Sequence, residues 1–228
     1  MIKIEKTDVF GWESAIRGMR NPMNSWEKSD TGWVDGFDVG SREWFEYDSE
    51  SGYVKVIGDN DLSLMKKLVK AGSDHSKFMR MINVTCDITA PLYWWKEYDT
   101  YKVGTVANSC STMHKIHAKE FTLNDFSHER MSGGALVALT SVIVPQLNED
   151  RRNFIDTNDK QYWHNMIQLL TTSYNQKRTV QLNYAVLRNM YHSRKNHKLD
   201  EWRNFCEWVE TLPYAELITD GGDNNDNT

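Results

Sequence analysis

Residues 178–210, RTVQLNYAVLRNMYHSRKNHKLDEWRNFCEWVE, limit what the chain can fold into more than any other stretch. They hold no Pro and no Gly. Leu182, Val186 and Met190 recur at helical spacing, with Ala185 and Leu187 beside them. The spacing predicts one amphipathic helix that breaks near residues 196–198 and continues through Trp202, Phe205, Cys206, Trp208 and Val209. Such a helix keeps polar groups off its buried side, yet Asn183, Asn189, His192 and Arg194 crowd the apolar stripe. At about 100° per residue, Asn183 and Arg194 fall within roughly 20° of each other, with Asn189 about 120° round from Asn183. Two amides and a guanidinium in that position need partners. Hydrogen bonds between helices would supply them. So would a bound polar ligand with anionic groups, which Arg suits.

The rest of the sequence says what kind of molecule this helix belongs to. With 39% hydrophobic and 12% aromatic residues it can build a core, and the nine Trp and ten Tyr suit apolar pockets or subunit interfaces as well. The net charge of −5 and the lack of a basic block do not favour nucleic-acid binding. Cys86, Cys110 and Cys206 are an odd number without a CxxC, which argues for free thiols in a reducing compartment. MIKIEKTDVF has no signal-peptide core and no 18-residue apolar run exists, so the expectation is a cytoplasmic protein that does not use the membrane.

In chain order, residues 1–10 read as a strand and 12–19 as a short helix stopped by Asn21-Pro22. Residues 21–36 read as a loop whose Arg17, Arg20, Asn24, Ser25 and Trp26 neighbourhood could line a site. A hairpin is expected from 44–47 and 53–57, then a helix with apolar face Leu62, Met65, Leu68 and Val69, started by Asp59-Asn60-Asp61 and stopped by Gly72. A strand over 78–88 leads to Pro91, which opens an aromatic helix. Residues 103–118 are small and polar and read as a ligand-facing turn or short helix. Residues 119–134 read as loop, 135–144 as a buried helix or strand, 146–158 as polar, and 160–172 as a helix. The whole reads as one α+β domain, residues 1–218, with a sheet packed by long helices and a disordered tail, 219–228.

No GxxxxGK[ST], GxGxxG or GxSxG is present. Cys110, His114, His117 and Glu120 would share one side of a helix, a weak zinc pattern, so no metal is expected. Cys110 beside a His is also a candidate nucleophile.

Two segments carry a family resemblance. One contains His75, then Ala90-Pro91 and the aromatic helix; the other, NYAVLRNMYHSR, has an N-x5-N-x4-R spacing. Together they resemble the flavin-dependent thymidylate synthases. The resemblance implies an α+β fold and a homotetramer that holds FAD at subunit interfaces. It also implies a hydride from NADPH, carbon from methylene-tetrahydrofolate, and dUMP or a similar pyrimidine nucleotide as substrate. By resemblance Asn183, Asn189 and Arg194 contact FAD, Arg194 also lies near the nucleotide, and His75 sits by the flavin. The family signature RHRxxSxNExSxRY is not retained: TYKVGTVANSCSTM stands at residues 100–113. Thr100, Tyr101 and Lys102 replace Arg, His and Arg, and Thr112 replaces the last Arg. Thr105 stands for the first Ser and Cys110 for the second, beside Ser111, so Lys102, Thr105 and Ser111 are the substrate-binding candidates and Cys110 and His75 the catalytic ones. A bidentate Arg–phosphate contact is not reproduced by Thr or Tyr. The alternative is therefore an inactive homologue that binds a nucleotide or a protein.

Overall fold

A computed structural model of the protein describes residues 1–221. The elements are β1 (Lys3–Phe10), α1 (Trp12–Arg20), β2 (Gly32–Asp35), β3 (Glu46–Tyr47), β4 (Tyr53–Val56), α2 (Asp59–Lys70), β5 (Asn83–Pro91) and α3 (Leu92–Tyr98). They continue with β6 (Val106–Ser109), α4 (Gly133–Ala138), α5 (Val144–Thr157), α6 (Lys160–Leu169), β7 (Asn175–Asn183), α7 (Tyr184–Arg194), α8 (Asp200–Val209) and α9 (Glu216–Thr219). The class is α+β. One sheet has the order β1-β5-β7-β6; the other, β2-β4-β3, is antiparallel. The residues group into two compact units. Unit 1 is Met1–Glu5, Asp87–Tyr101 and Ala107–Val180; unit 2 is Lys6–Cys86, Lys102–Val106 and the chain from Gln181 on.

Unit 1 is built around Ile116, Phe121, Phe126, Leu139, Leu147 and Met166, with Phe154, Trp163 and Tyr174 packed against them. Its α3 buries Trp94, Trp95 and Tyr98 in mutual ring contact. Helix α5 corrects the reading of 146–158 as merely polar. Leu147 is buried, and the buried Asn148 side chain exchanges two hydrogen bonds of 2.8 Å with the Phe121 backbone. A paired amide in the core weakens the apolar pattern without weakening the helix. The apolar run 135–144 is helical, with a π-turn at Leu139–Ile143, but of its side chains only Leu139 is buried: Val137 is 61% and Val142 63% exposed.

Unit 2 packs Trp12 against Phe45, Tyr184 and Tyr214, with ring centroids 5.2–5.6 Å apart. The start of α2 is satisfied from far along the chain. The Asp30 carboxylate accepts the Asn60 and Asp61 N–H groups at 2.9 and 3.1 Å. Gly58 is needed there, because a Cβ would overlap Asp30. Residues 32–35, read as loop, are a strand because β4 pairs with them.

The largest correction concerns the stretch from residue 178. Its first part is β7, not helix. Val180 and Leu182 are buried while Thr179 and Gln181 are exposed, a period of two. The expected tail, 219–228, lies outside the described residues from 222 on. Thr219 closes α9, and the carbonyls of Asp220 and Gly221 accept from Arg188.

Candidate functional site

Helix α7 starts where Asn183 caps it. The Asn183 Oδ1 accepts the Val186 N–H at 3.0 Å, which satisfies one of the open amides of the first turn. Asn183 is therefore the last residue of a strand and the cap of a helix, not a member of the helix face. Tyr184, Leu187 and Met190 turn inward and are fully buried. Asn189 is exposed and lies 3.5 Å from Ser193 Oγ. Arg194 is half-buried in the last turn, its guanidinium carbon 4.8 Å from the ring centroid of the buried Trp202. Arg188 and His192 have partners inside the protein. Arg188 donates to the carbonyls of Ile218 and Asp220 at 3.0 and 2.6 Å, and His192 Nε2 lies 3.0 Å from Ile218 O. Hydrogen bonding between elements thus accounts for one part of the helix's polar surplus.

The turn at 102–106 lies against the start of α7. Gly104 has φ +77°, and a Cβ there would stand 3.0 Å from Asn183 Nδ2 and from Val186 Cγ2. Lys102 and Val103 on this turn are exposed, and Thr105 is half-buried. Sequence reasoning missed Gly104. Its signal was a lone Gly in a polar run, a mark of backbone that must adopt positive φ. Gly104→Ala should lower stability by about 1–3 kcal/mol through strain at positive φ, read as a lower urea midpoint with an unchanged slope.

His75 is exposed, and its N–H donates to Gly72 O at 3.1 Å in the turn that ends α2. The segment after it, Lys77–Arg80, packs on α7, and the Tyr184 N–H donates to Ile82 O at 3.0 Å. Unit 2 thus contains His75, Lys102 and Thr105 together with Asn183, Asn189 and Arg194.

Cys110 and Ser111 belong to unit 1. The Cys110 N–H donates to Lys177 O at 2.9 Å and its carbonyl accepts from Gln176 Nε2 at 2.8 Å, which leaves an anchored backbone and an exposed residue. Ser111 Oγ accepts the His114 N–H at 2.8 Å, so it closes a local turn. His114 and His117 lie in a turn and Cys110 in the irregular chain just after β6, so the three do not share a helix side. Among the described residues no three His, Cys, Asp or Glu come close enough to hold a metal ion. In the same unit the Arg178 guanidinium stacks 4.2 Å from the Trp95 ring centroid and donates to Asp99 at 2.7 Å. Lys177 pairs with Asp87 at 2.9 Å, and that hydrogen bond holds its ammonium above the usual lysine range.

Arg20 does not face a ligand. It is 4% exposed, and its Nε donates to Asp61 at 2.6 Å while its other nitrogens bond Ser25 and the Lys28 carbonyl. Arg17 is exposed and reaches only Ser14, at 3.4 Å. Trp26, 51% exposed, donates to Asn21 at 2.8 Å.

The fold has a counterpart among solved structures. The crystal structure of flavin-dependent thymidylate synthase ThyX from Helicobacter pylori, complexed with FAD and dUMP, matches with a TM-score of 0.64 over 95% of this chain and 99% of that one. The chain has the flavin-dependent thymidylate synthase fold. Sequence identity in this match is 15%, and a second Helicobacter pylori ThyX structure with FAD and dUMP gives 14%, a TM-score of 0.64 and 96% and 98% coverage. No protein-family model matches the sequence, and no curated protein matches it. In this chain's version of the thymidylate synthase fold, residues 100–113 form a turn and the exposed edge strand β6, with no Arg among them. No helix among the described residues is long and apolar enough to cross a membrane.

Proposed function

We propose that the chain is a divergent flavin-dependent enzyme that holds FAD and acts on a pyrimidine nucleotide of the dUMP type. The observation that carries this reading is the placement of Asn183, Asn189 and Arg194. They sit at the cap, the outer surface and the last turn of one helix, in a fold shared with a protein complexed with FAD and dUMP. Two amides and a guanidinium are donors suited to the carbonyls and phosphates of a flavin dinucleotide. The cap bond fixes the Asn183 amide, and Arg194 is steadied by its stack on Trp202. Bound FAD would supply hydride transfer; the protein's share is binding, orientation and electrostatics. His75 would sit on the flavin side. Lys102 and Thr105, on the turn beside Asn183, would meet the nucleotide, and Lys102 would offer a point charge where a fork of arginine donors is lost. Ser111 would take part through its unit's own segment. Cys110, exposed on an anchored backbone, would be the candidate nucleophile. NADPH and methylene-tetrahydrofolate would be the co-substrates.

The reading extends to assembly. Val103 (88%), Val106 (65%), Val137 (61%) and Val142 (63%) are apolar residues left open to solvent in the single chain. Exposed apolar surface of this kind supports burial against further copies, a homotetramer by resemblance. Three free cysteines support a reducing, cytoplasmic setting.

A second reading rests on the segment 100–113. Its lack of arginine favours an inactive homologue that keeps nucleotide binding. One experiment separates the two. Calorimetric titration of dUMP into FAD-supplemented protein should show binding that weakens about tenfold or more in Lys102→Ala, the loss of one charged hydrogen bond. Turnover to a 5-methylated product supports the enzyme. Binding without turnover supports the homologue, and no binding in any form removes both.

A further inference from the structure

The sheet of β2, β4 and β3 has one buried face and one open face. Its register pairs Trp33 with Lys55, Asp35 with Tyr53 and Glu46 with Lys55, so these five residues share a face. The opposite face holds Val54 and Val56, each 3% exposed. The open side of an antiparallel sheet is normally polar. Here it carries Trp33 (43% exposed) and Tyr53 (42%), with Trp44 (47%) just before β3, two residues ahead of Glu46.

Charge then says what such a surface would accept. From residue 35 to residue 50 the chain has six acidic residues, Asp35, Asp38, Glu43, Glu46, Asp48 and Glu50, and one basic residue, Arg42. The face already displays its own recognition chemistry in miniature. Lys55 Nζ lies 5.1 Å from the Trp33 ring centroid, 3.7 Å from the Glu46 carboxylate, and is paired with Glu13. A cation over a ring with carboxylates beside it is a favourable, partly desolvated arrangement. Trp44 and Tyr53 offer further rings, and Asp35, Asp48 and Glu50 further carboxylates.

We propose that this face docks an arginine-rich segment of a partner protein, with guanidinium groups stacked on Trp44 and Tyr53 and paired with the surrounding carboxylates. Arginine fits better than lysine because its planar group stacks and is weakly hydrated. Nucleic acid is repelled by the same carboxylates. A second copy of the chain is a poor occupant, because its sequence contains no three consecutive Lys or Arg residues.

The test uses the full chain and two fluorescein-labelled peptides, deca-arginine and deca-lysine, followed by anisotropy at about 0.15 M salt. The arginine peptide should bind about tenfold more tightly than the lysine peptide, and Trp44→Ala with Tyr53→Ala should weaken it about tenfold. Asp156→Asn with Glu207→Gln, which removes two exposed carboxylates elsewhere, should change affinity less than about twofold. Equal binding of the two peptides to the wild type overturns the proposal without recourse to any variant. So does a loss of affinity in the Asp156/Glu207 variant as large as that in the ring variant. A change of oligomeric state in the ring variant, seen by light scattering, assigns the face to a second copy instead.

Discussion

Asp61→Ala should destabilise the protein by about 3–5 kcal/mol, the loss expected when one partner of a buried ion pair is removed and the other stays. Asp61 is fully buried and Arg20 is 4% exposed. The Asp61 carboxylate accepts from Arg20 Nε at 2.6 Å, from Ser29 Oγ and Thr31 Oγ1 at 2.7 Å, and from the Asp30 and Thr31 N–H groups at 3.2 and 3.1 Å. It thus fixes residues 29–31 to α2. Truncation leaves the Arg20 guanidinium buried beside a void, and urea unfolding should show a lower midpoint. The effect carries a pH signature. Burial pushes the Asp61 carboxyl up, but the hydrogen bonds from Ser29, Thr31 and Arg20 outweigh it and hold the group below the usual carboxylate range. A lowered folded value means that the stabilisation is complete above the unfolded value of about 3.9 and is lost as pH falls through the folded one. The gap between wild type and Asp61→Ala should therefore be constant at neutral pH and shrink in acid. A gap independent of pH down to complete acid unfolding would contradict this account.

Arg194→Ala should weaken FAD binding by about 10–100-fold, the scale of one hydrogen bond to a charged group of 1.5–3 kcal/mol. The guanidinium lies at the end of α7 over Trp202, half open to solvent, and a urea curve recorded beside the titration separates lost binding from lost folding. Arg188→Ala is the informative comparison. Arg188 bonds the carbonyls of residues 217–221, and its loss should lower stability while leaving flavin affinity unchanged. If the two variants exchange these phenotypes, the assignment of the polar residues on α7 is wrong.

Most elements left a local mark in the sequence. β1, α1, the β3–β4 hairpin, α2, α3, α6 and α8 follow from alternation, from helical spacing or from Pro and Gly punctuation. β7 did not, because Leu182 belongs to two patterns at once. It alternates with Val180 as a strand residue, and it also stands four residues before Val186 and eight before Met190. Asn183 was the deciding signal, a side chain that caps a helix and so marks where the strand must end. α5 was hidden because Asn148 spends a core position on a hydrogen-bonded amide. The Arg20–Asp61 pair was hidden because its partners stand 41 residues apart, beyond any local pattern. Of the candidate site, Asn189 and Arg194 on α7 and Asn183 at its cap stood out as an excess of polar groups near an apolar stripe. The docking of the 102–106 turn on Asn183 was not, since only the folded backbone brings Gly104 there.

The proposed function requires α7 to hold a flavin although residues 100–113 carry no arginine. Purified protein is incubated with FAD, desalted, and its absorbance recorded. The account predicts a retained band at about 450 nm, the mark of a bound flavin cofactor, stoichiometric with the chain and lost in Arg194→Ala. A spectrum with no flavin band in well-folded wild-type protein would contradict it.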